Sequence, residues 1–205
     1  AKCPANETYI DIGANVGFMV NMVLWNDPER HVIAVDPISY DIAKLCEAYR
    51  YISQHASHVV GDDNNNNNND PPKLLHEHYH LFHAAAGPQS LPQINITRPS
   101  DHVGKFDQSS LSRNAVIFGD GDVVTERVPL VKVDELWAAL PSSRRVCLVK
   151  IDVQGHEYQV LQGMTELLSS NPPPRYIFYE ESPRHIEKAG LTPGAVETLL
   201  TSTLY

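Results

Sequence analysis

The chain has no apolar run near the roughly 18 residues that a membrane-spanning helix needs, so no span is expected in its 205 residues. It has no basic cluster beyond Arg144-Arg145 and carries a formal net charge of −9. Nucleic-acid binding rests on clustered Lys and Arg, and that class of partner is set aside. Cysteine is scarce: Cys3, Cys46 and Cys147 are far apart and odd in number. They suggest neither a disulfide framework nor a metal-ligand spacing, and Cys46 and Cys147 sit in apolar patterns that suit core positions. An initiating Met and a signal-type opening are also missing, so a cut-down chain or a fragment is expected. Two glycosylation sequons, Asn6-Glu7-Thr8 and Asn95-Ile96-Thr97, carry meaning only in a secreted chain. The compartment stays open, with the cytoplasm slightly favoured for a soluble protein. Hydrophobic residues make up 42% of the chain, enough at this length for one domain, residues 1–205, with its own core.

What is present is organised around Tyr9-Ile10-Asp11-Ile12-Gly13-Ala14-Asn15-Val16-Gly17, an apolar run ending in an acid and passing into a small-residue turn. Phe18 to Trp25 follows, apolar nearly all round, as suits a buried helix. Strand, turn and helix form a ligand-binding unit: Gly13 and Gly17 can take positive φ and leave backbone bare, and the helix aims its first N–H groups at an anionic ligand group. About twenty residues on, His31-Val32-Ile33-Ala34-Val35-Asp36-Pro37 is a second strand, and an acid at its end is placed to receive two ribose hydroxyls. The dinucleotide pattern G-x-G-x-x-G is not met, because Asn15 stands where a pyrophosphate needs glycine. A nucleoside bearing an amino-acid tail fits better, with Asp11 placed to pair with its ammonium. S-adenosylmethionine meets these demands, and a nicotinamide cofactor does not.

Further along, Ile42, Leu45, Cys46, Tyr49 and Ile52 keep helical spacing behind Ser39 as N-cap. Asn64 to Asn69 is a polar homopolymer that cannot bury apolar area, so residues 56–73 read as a disordered surface insertion. Leu74 to His83 reads as a third strand, with His83 to Ala86 at its ligand-facing end leaving room near an adenine. Alternation puts His76, His78 and His80 on one face, which makes a metal conceivable. No cysteine or acid pair completes a site, so a polar strand face and no metal is the expectation. Residues 93–97 and 123–133 suggest a pair of strands covering the mouth of the site, with Asp107 to Leu111 as a polar loop near the ligand. Asp134 is expected to cap a short helix, Glu135 to Leu140, stopped by Pro141.

The second anchor, Val146 to Glu157, is an apolar strand broken only by Lys150 and ending at Asp152. Ligands of open α/β sheets bind at the carboxyl ends of strands where strand order reverses. Asp11, Asp36 and Asp152 are therefore expected on one rim. Tyr158 to Leu168 has helical spacing ended by Asn171 and three prolines, Tyr176 to Tyr179 is a further strand, and Thr192-Pro193 opens a last helix to about Thr201.

Taken together, Tyr9 to Gly17, Ile33 to Pro37, Gln108 to Leu111, Val131 to Leu136 and above all Lys150 to Gly163 (KIDVQGHEYQVLQG) make the chain resemble the FkbM-type S-adenosylmethionine-dependent methyltransferases over about residues 9–182. The resemblance implies an O-methyltransferase on a class I, Rossmann-like α/β fold: a mainly parallel sheet with helices on both faces. It implies that Asp11, Gly13, Asn15, Gly17 and Asp36 hold the cofactor, with Ser110 and Asp152 beside them. Two departures stand out: Gln154 replaces a common Glu, and the chain ends before the last two strands of the usual seven, leaving Tyr176 to Tyr179 as an apolar edge. The acceptor is expected to be a hydroxyl on a small molecule or glycan. Candidate bases are Asp152, His156 and Glu157; for Asp152 the alternative is orienting the cofactor, and for His156 and Glu157 it is capping a helix. A catalytically silent relative, keeping the fold as a binding or scaffold module, is the alternative function.

Overall fold

The computed structural model describes residues 3–4, 6–55, 78–100, 123–140, 145–181, 187 and 190–204. The polar insertion at 56–73, His76, the 107–111 loop with Ser110, and Pro141 lie outside these residues.

Two short apolar strands, β1 (Thr8–Ile12) and β2 (Val32–Asp36), are buried along their whole length. A strand that is apolar at consecutive positions needs cover on both faces, and parallel strands joined by helices supply it. The helices α1 (Phe18–Asn26) and α2 (Ser39–His55) follow β1 and β2 in turn. Tyr9, Val32 and Ala34 face α1 and α2, packing on Val20, Leu24, Leu45 and Ile52. Ile10, Ile12, Ile33 and Val35 face the other way, into the larger core. That core is closed by α3 (Val133–Ala138), α4 (Glu157–Gln162), α5 (Thr165–Leu168) and α6 (Ala195–Leu204).

With β3 (Tyr79–His83), β7 (Val146–Ile151) and β8 (Tyr176–Tyr179), these strands form a five-stranded sheet in the order β3-β2-β1-β7-β8. Every pairing is parallel, so all carboxyl ends lie on one rim. Strand order reverses between β1 and β7, where an α/β sheet opens its ligand crevice. This is the Rossmann-like fold expected from the sequence. A second sheet, β4 (Ala85–Ala86), β6 (Val123–Val131) and β5 (Leu91–Pro99), stands beside it around Ile38, Ala85, Ile96, Val128 and Leu130. β5 and β6 pair antiparallel, and β4 adds a parallel third strand.

Several expectations are corrected. α1 is not buried: Phe18 is 71% exposed and Met22 and Trp25 nearly half exposed, because only Val20 and Leu24 reach the sheet. The expected helix over 158–168 is broken into α4 and α5. A Cβ on Gly163 would stand 2.0 Å from the Gly87 carbonyl oxygen, and at the break the Gly163 carbonyl accepts from Asp134 N while Leu167 N donates to the Asp134 carboxylate. Asp134 does not cap its own helix; its carboxylate accepts from the Glu166 and Leu167 N–H groups at the start of α5. Ser39 donates its hydroxyl to Glu126 of β6 rather than capping α2. Cys147 is buried in β7 as expected, but it is bonded to Cys3 in a disulfide with a Cα–Cα separation of 5.7 Å. A span of 144 residues hid the pairing, since separation along a chain says nothing of separation in space.

Candidate active site

At the rim, β1 turns into α1 through Gly13 to Gly17. Gly13 has φ 78°, and a Cβ there would lie 1.9 Å from the Asp152 carbonyl oxygen, so a side chain is excluded by the backbone that leaves β7. Asn15 has φ 53°, a left-handed conformation that Asn tolerates better than most residues. Its N–H donates to Asp36 Oδ2 (2.8 Å) and its side-chain oxygen accepts from Val16 N. Asn15 therefore supplies the positive φ of the turn and ties that turn to β2. Gly17 serves packing instead, because a Cβ there would meet Leu45 at 2.3 Å.

Beyond the turn lies a crevice open to solvent at the rim. Gly13 and Asn15 line one side, Asp36, Ile38 and Asp41 another, and Ala84, Ala85, Ala86 and Ile96 form an apolar wall. Asp152, Val153, Gln154 and His156 complete it. Among these residues three are carboxylates and none is Lys or Arg. Of the 83–86 stretch, the alanines reach the crevice, whereas His83 hydrogen-bonds the Pro37 carbonyl outside it.

Asp36 is 4% exposed and also accepts from Ile38 N at 2.8 Å. Burial pushes its carboxyl up to about 7, with the Asp41 charge adding to the shift. Burial likewise raises Asp41 to about 6. Ionised carboxylates offer about four acceptor positions. Two remain on Asp36 after its backbone bonds.

Asp11 differs from expectation. It is fully buried and does not line the crevice. Its oxygens take the Tyr9 hydroxyl at 2.8 Å and the Lys150 ammonium at 3.0 Å. Pairing with a ligand ammonium is thus replaced by an internal ion pair. Lys150 also donates to the Gly13 carbonyl at 3.0 Å, so this pair holds the turn. Sequence reasoning gave Lys150 no role. The signal was one lysine in an apolar strand beside a strand with one acid, and the register sets Lys150 opposite Asp11.

Asp152 is partly exposed, and its Oδ1 accepts from Gln154 Nε2 at 2.9 Å. Gln154 takes φ 56° and extends the same amide toward Glu180 at 3.4 Å. A Glu at 154 would crowd a third carboxylate between Asp152 and Glu180. Burial and the Asp152 carboxylate together push Glu180 up. His156 faces the crevice, and burial lowers it to about 4. Glu157 does not line the crevice; one oxygen accepts from Val153 N and Gly155 N, both at 3.1 Å. It closes the loop that presents Asp152, and no side chain caps the start of α4 at His156.

Among the described residues no group of three His, Cys, Asp or Glu side chains is placed to hold a metal ion. His78 and His80 pack on His31, the residue before β2. No helix among them is long and apolar enough to cross a membrane.

A buried acid ends β2, a glycine-floored turn follows β1 and a rim acid follows β7; the family model of the methyltransferase FkbM domain matches residues 11–205. The chain belongs to the FkbM methyltransferase family. No curated protein and no solved structure matches it. Membership makes it a methyltransferase-family protein with a methyl acceptor as substrate.

Proposed function

We propose that this FkbM-family protein is an S-adenosylmethionine-dependent O-methyltransferase acting on a hydroxyl of a small molecule or glycan. The observation that carries the reading is the charge of the crevice: three carboxylates line it with no Lys or Arg among its lining residues. A pyrophosphate is repelled from such a surface, while a ligand bearing a sulfonium and an ammonium is attracted.

The residues fit that cofactor. Asp36 has acceptor positions left for the ribose hydroxyls. The alanines at 84–86 with Ile96 suit an adenine, and the missing side chain at Gly13 leaves backbone open to the amino-acid tail. Bound there, the cofactor supplies an electrophilic methyl group whose transfer needs no acid for the leaving group. The chain's own work is to hold donor and acceptor in line, worth up to roughly 7–11 kcal/mol in ideal cases, and to take the acceptor's proton.

For that proton Asp152 is favoured over the other candidates. It faces the crevice, keeps one oxygen clear of Gln154, and is steadied by the Lys150 ammonium at 3.6 Å. His156 is neutral at physiological pH and faces the same space, with its basicity lowered by burial. Glu157 is a positioning residue for the loop, and Asp11 and Gly17 are positioning residues for the turn.

Calorimetric titration with S-adenosylmethionine, S-adenosylhomocysteine and NAD tests the reading. Binding of the first two and not the third is expected. Binding of NAD alone, or of none, would remove it, and binding of the first two without transfer to any hydroxyl acceptor would favour the silent module.

A further inference from the structure

The amino ends of the strands hold features that methyl transfer does not use. Cys3 is bonded to Cys147 of β7, whose side chain is 1% exposed. Arg30 fastens the same segment by donating to the carbonyls of Cys3 and Glu7. A buried disulfide tying the chain's start to its central sheet forms where thiols are oxidised, since cytosolic thiols are held reduced.

Next to this tie is the first sequon. Asn6 is exposed in the turn between Pro4 and β1. Thr8, the third residue of the triplet, is fully buried, and its hydroxyl has no hydrogen-bond partner. A buried unpaired hydroxyl costs about 1–3 kcal/mol, so valine would serve the fold better at this position. The second sequon shows the same division: Asn95 is exposed on β5, while Thr97 is 7% exposed. Side chains alternate along a strand. Ile94 and Ile96 face the small core and Ile96 lines the crevice, while Asn95 and Thr97 share the opposite face, on which Asn95 is exposed and Thr97 is covered. Both asparagines therefore lie away from the crevice, one at the far end of the main sheet and one on the outside of the small sheet. Both threonines are accessible to an enzyme only before the chain folds.

We propose that the chain folds in an oxidising, glycosylating lumen, where Asn95 and Asn6 accept N-linked glycans. In each transfer the asparagine amide nitrogen displaces the diphosphate of a lipid-linked oligosaccharide from the anomeric carbon. A C–N bond forms, the C–O bond to diphosphate breaks, and the lost amide proton is taken up by water. The Cys3 and Cys147 thiols give two electrons and two protons to the disulfide of a thiol oxidoreductase, which is reduced to its dithiol. Neither step depends on the cofactor reading.

The test uses the protein isolated from its own cells. It is alkylated with and without prior reduction, then treated with a peptide N-glycosidase in heavy-oxygen water before digestion and mass spectrometry. The expected result is heavy-oxygen aspartate at 95 and at 6, with Cys3 and Cys147 alkylated only after reduction. Unmodified asparagine at both positions overturns the glycan assignment, and conversion at one alone removes the other site. Alkylation of Cys3 and Cys147 without reduction overturns the compartment. Asn95→Gln and Asn6→Gln in the full chain, expressed in those cells, should each abolish one glycosidase-sensitive step in gel mobility.

Discussion

The two ends of the five-stranded sheet are built from the same kinds of residue and treat charge in opposite ways. At the amino ends Glu7 holds Arg175 in a two-pronged pair, and Asp27 holds Arg30 at 2.8 Å. At the carboxyl ends, Asp36 and Asp41 are buried with no Lys or Arg lining the crevice beside them. At the first end the pairs are closed within the chain; at the second Lys150 is shared by Asp11 and Asp152, while Asp36 and Asp41 have no Lys or Arg among the crevice's lining residues, ready for a ligand that supplies positive charge. Stability is concentrated at the first end and binding at the second. Lys150 is where the two meet, since its ion pair with Asp11 holds up the ligand-binding turn.

This contrast breaks if rim changes act like base changes. The largest expected effect is on catalysis: Asp152→Ala should cut labelled-methyl transfer to the wild-type acceptor by roughly 10²–10⁴-fold, as loss of a general base does. Cofactor affinity by calorimetry should change little. Next comes Lys150→Met, which leaves Asp11 charged and buried without its partner, a loss of about 3–5 kcal/mol. Urea unfolding measures it, and cofactor affinity should fall as well because the turn is released. Cys3→Ser should cost about 2–5 kcal/mol through the long loop it opens, while cofactor affinity stays as in the wild type. Arg175→Ala should have the smallest effect, a small drop in melting temperature below that of Cys3→Ser, because the arginine itself is well exposed.

Acid sharpens the same comparison. The Arg175 hydrogen bond lowers the Glu7 carboxyl below its usual value. Its stabilisation is therefore present above the ordinary carboxylate range and lost as pH falls through the lowered value. Asp36 runs the other way. Its folded carboxyl titrates near 7 against an ordinary value of 3.8. The folded state thus keeps a proton that the unfolded chain has lost, and the contribution to stability falls as pH rises from about 4 to about 7.

The main sheet was legible because its signals are local. β1, β2 and β7 are apolar runs ended by acids, and parallel strands buried on both faces leave that mark. Asp36, Gly13, Asn15 and Asp152 could be placed on one rim from the ends of those runs alone. What stayed hidden depends on distant partners. Nothing near Asp11 in sequence shows that Lys150 will occupy its carboxylate, and nothing near Asp134 shows that it caps α5. Cys3 and Cys147 meet only because β1 and β7 are neighbours in the sheet. The helix over 158–168 was misjudged because its periodicity continues through Gly163, whose contact with Gly87 is tertiary. α1 was misjudged because an apolar composition does not reveal which face has a neighbour.

The most direct test of an acidic crevice centred on Asp36 is the affinity for S-adenosylhomocysteine as a function of pH, in the wild type and in Asp36→Ala. Ribose hydroxyls donate to the ionised carboxylate, so wild-type affinity should weaken as pH falls below about 7, approaching tenfold per pH unit if the protonated form does not bind. Asp36→Ala should bind at least about 100-fold more weakly, a loss near 3 kcal/mol, with no such pH dependence around 7. Equal affinities and superimposable profiles for the two proteins would contradict the account.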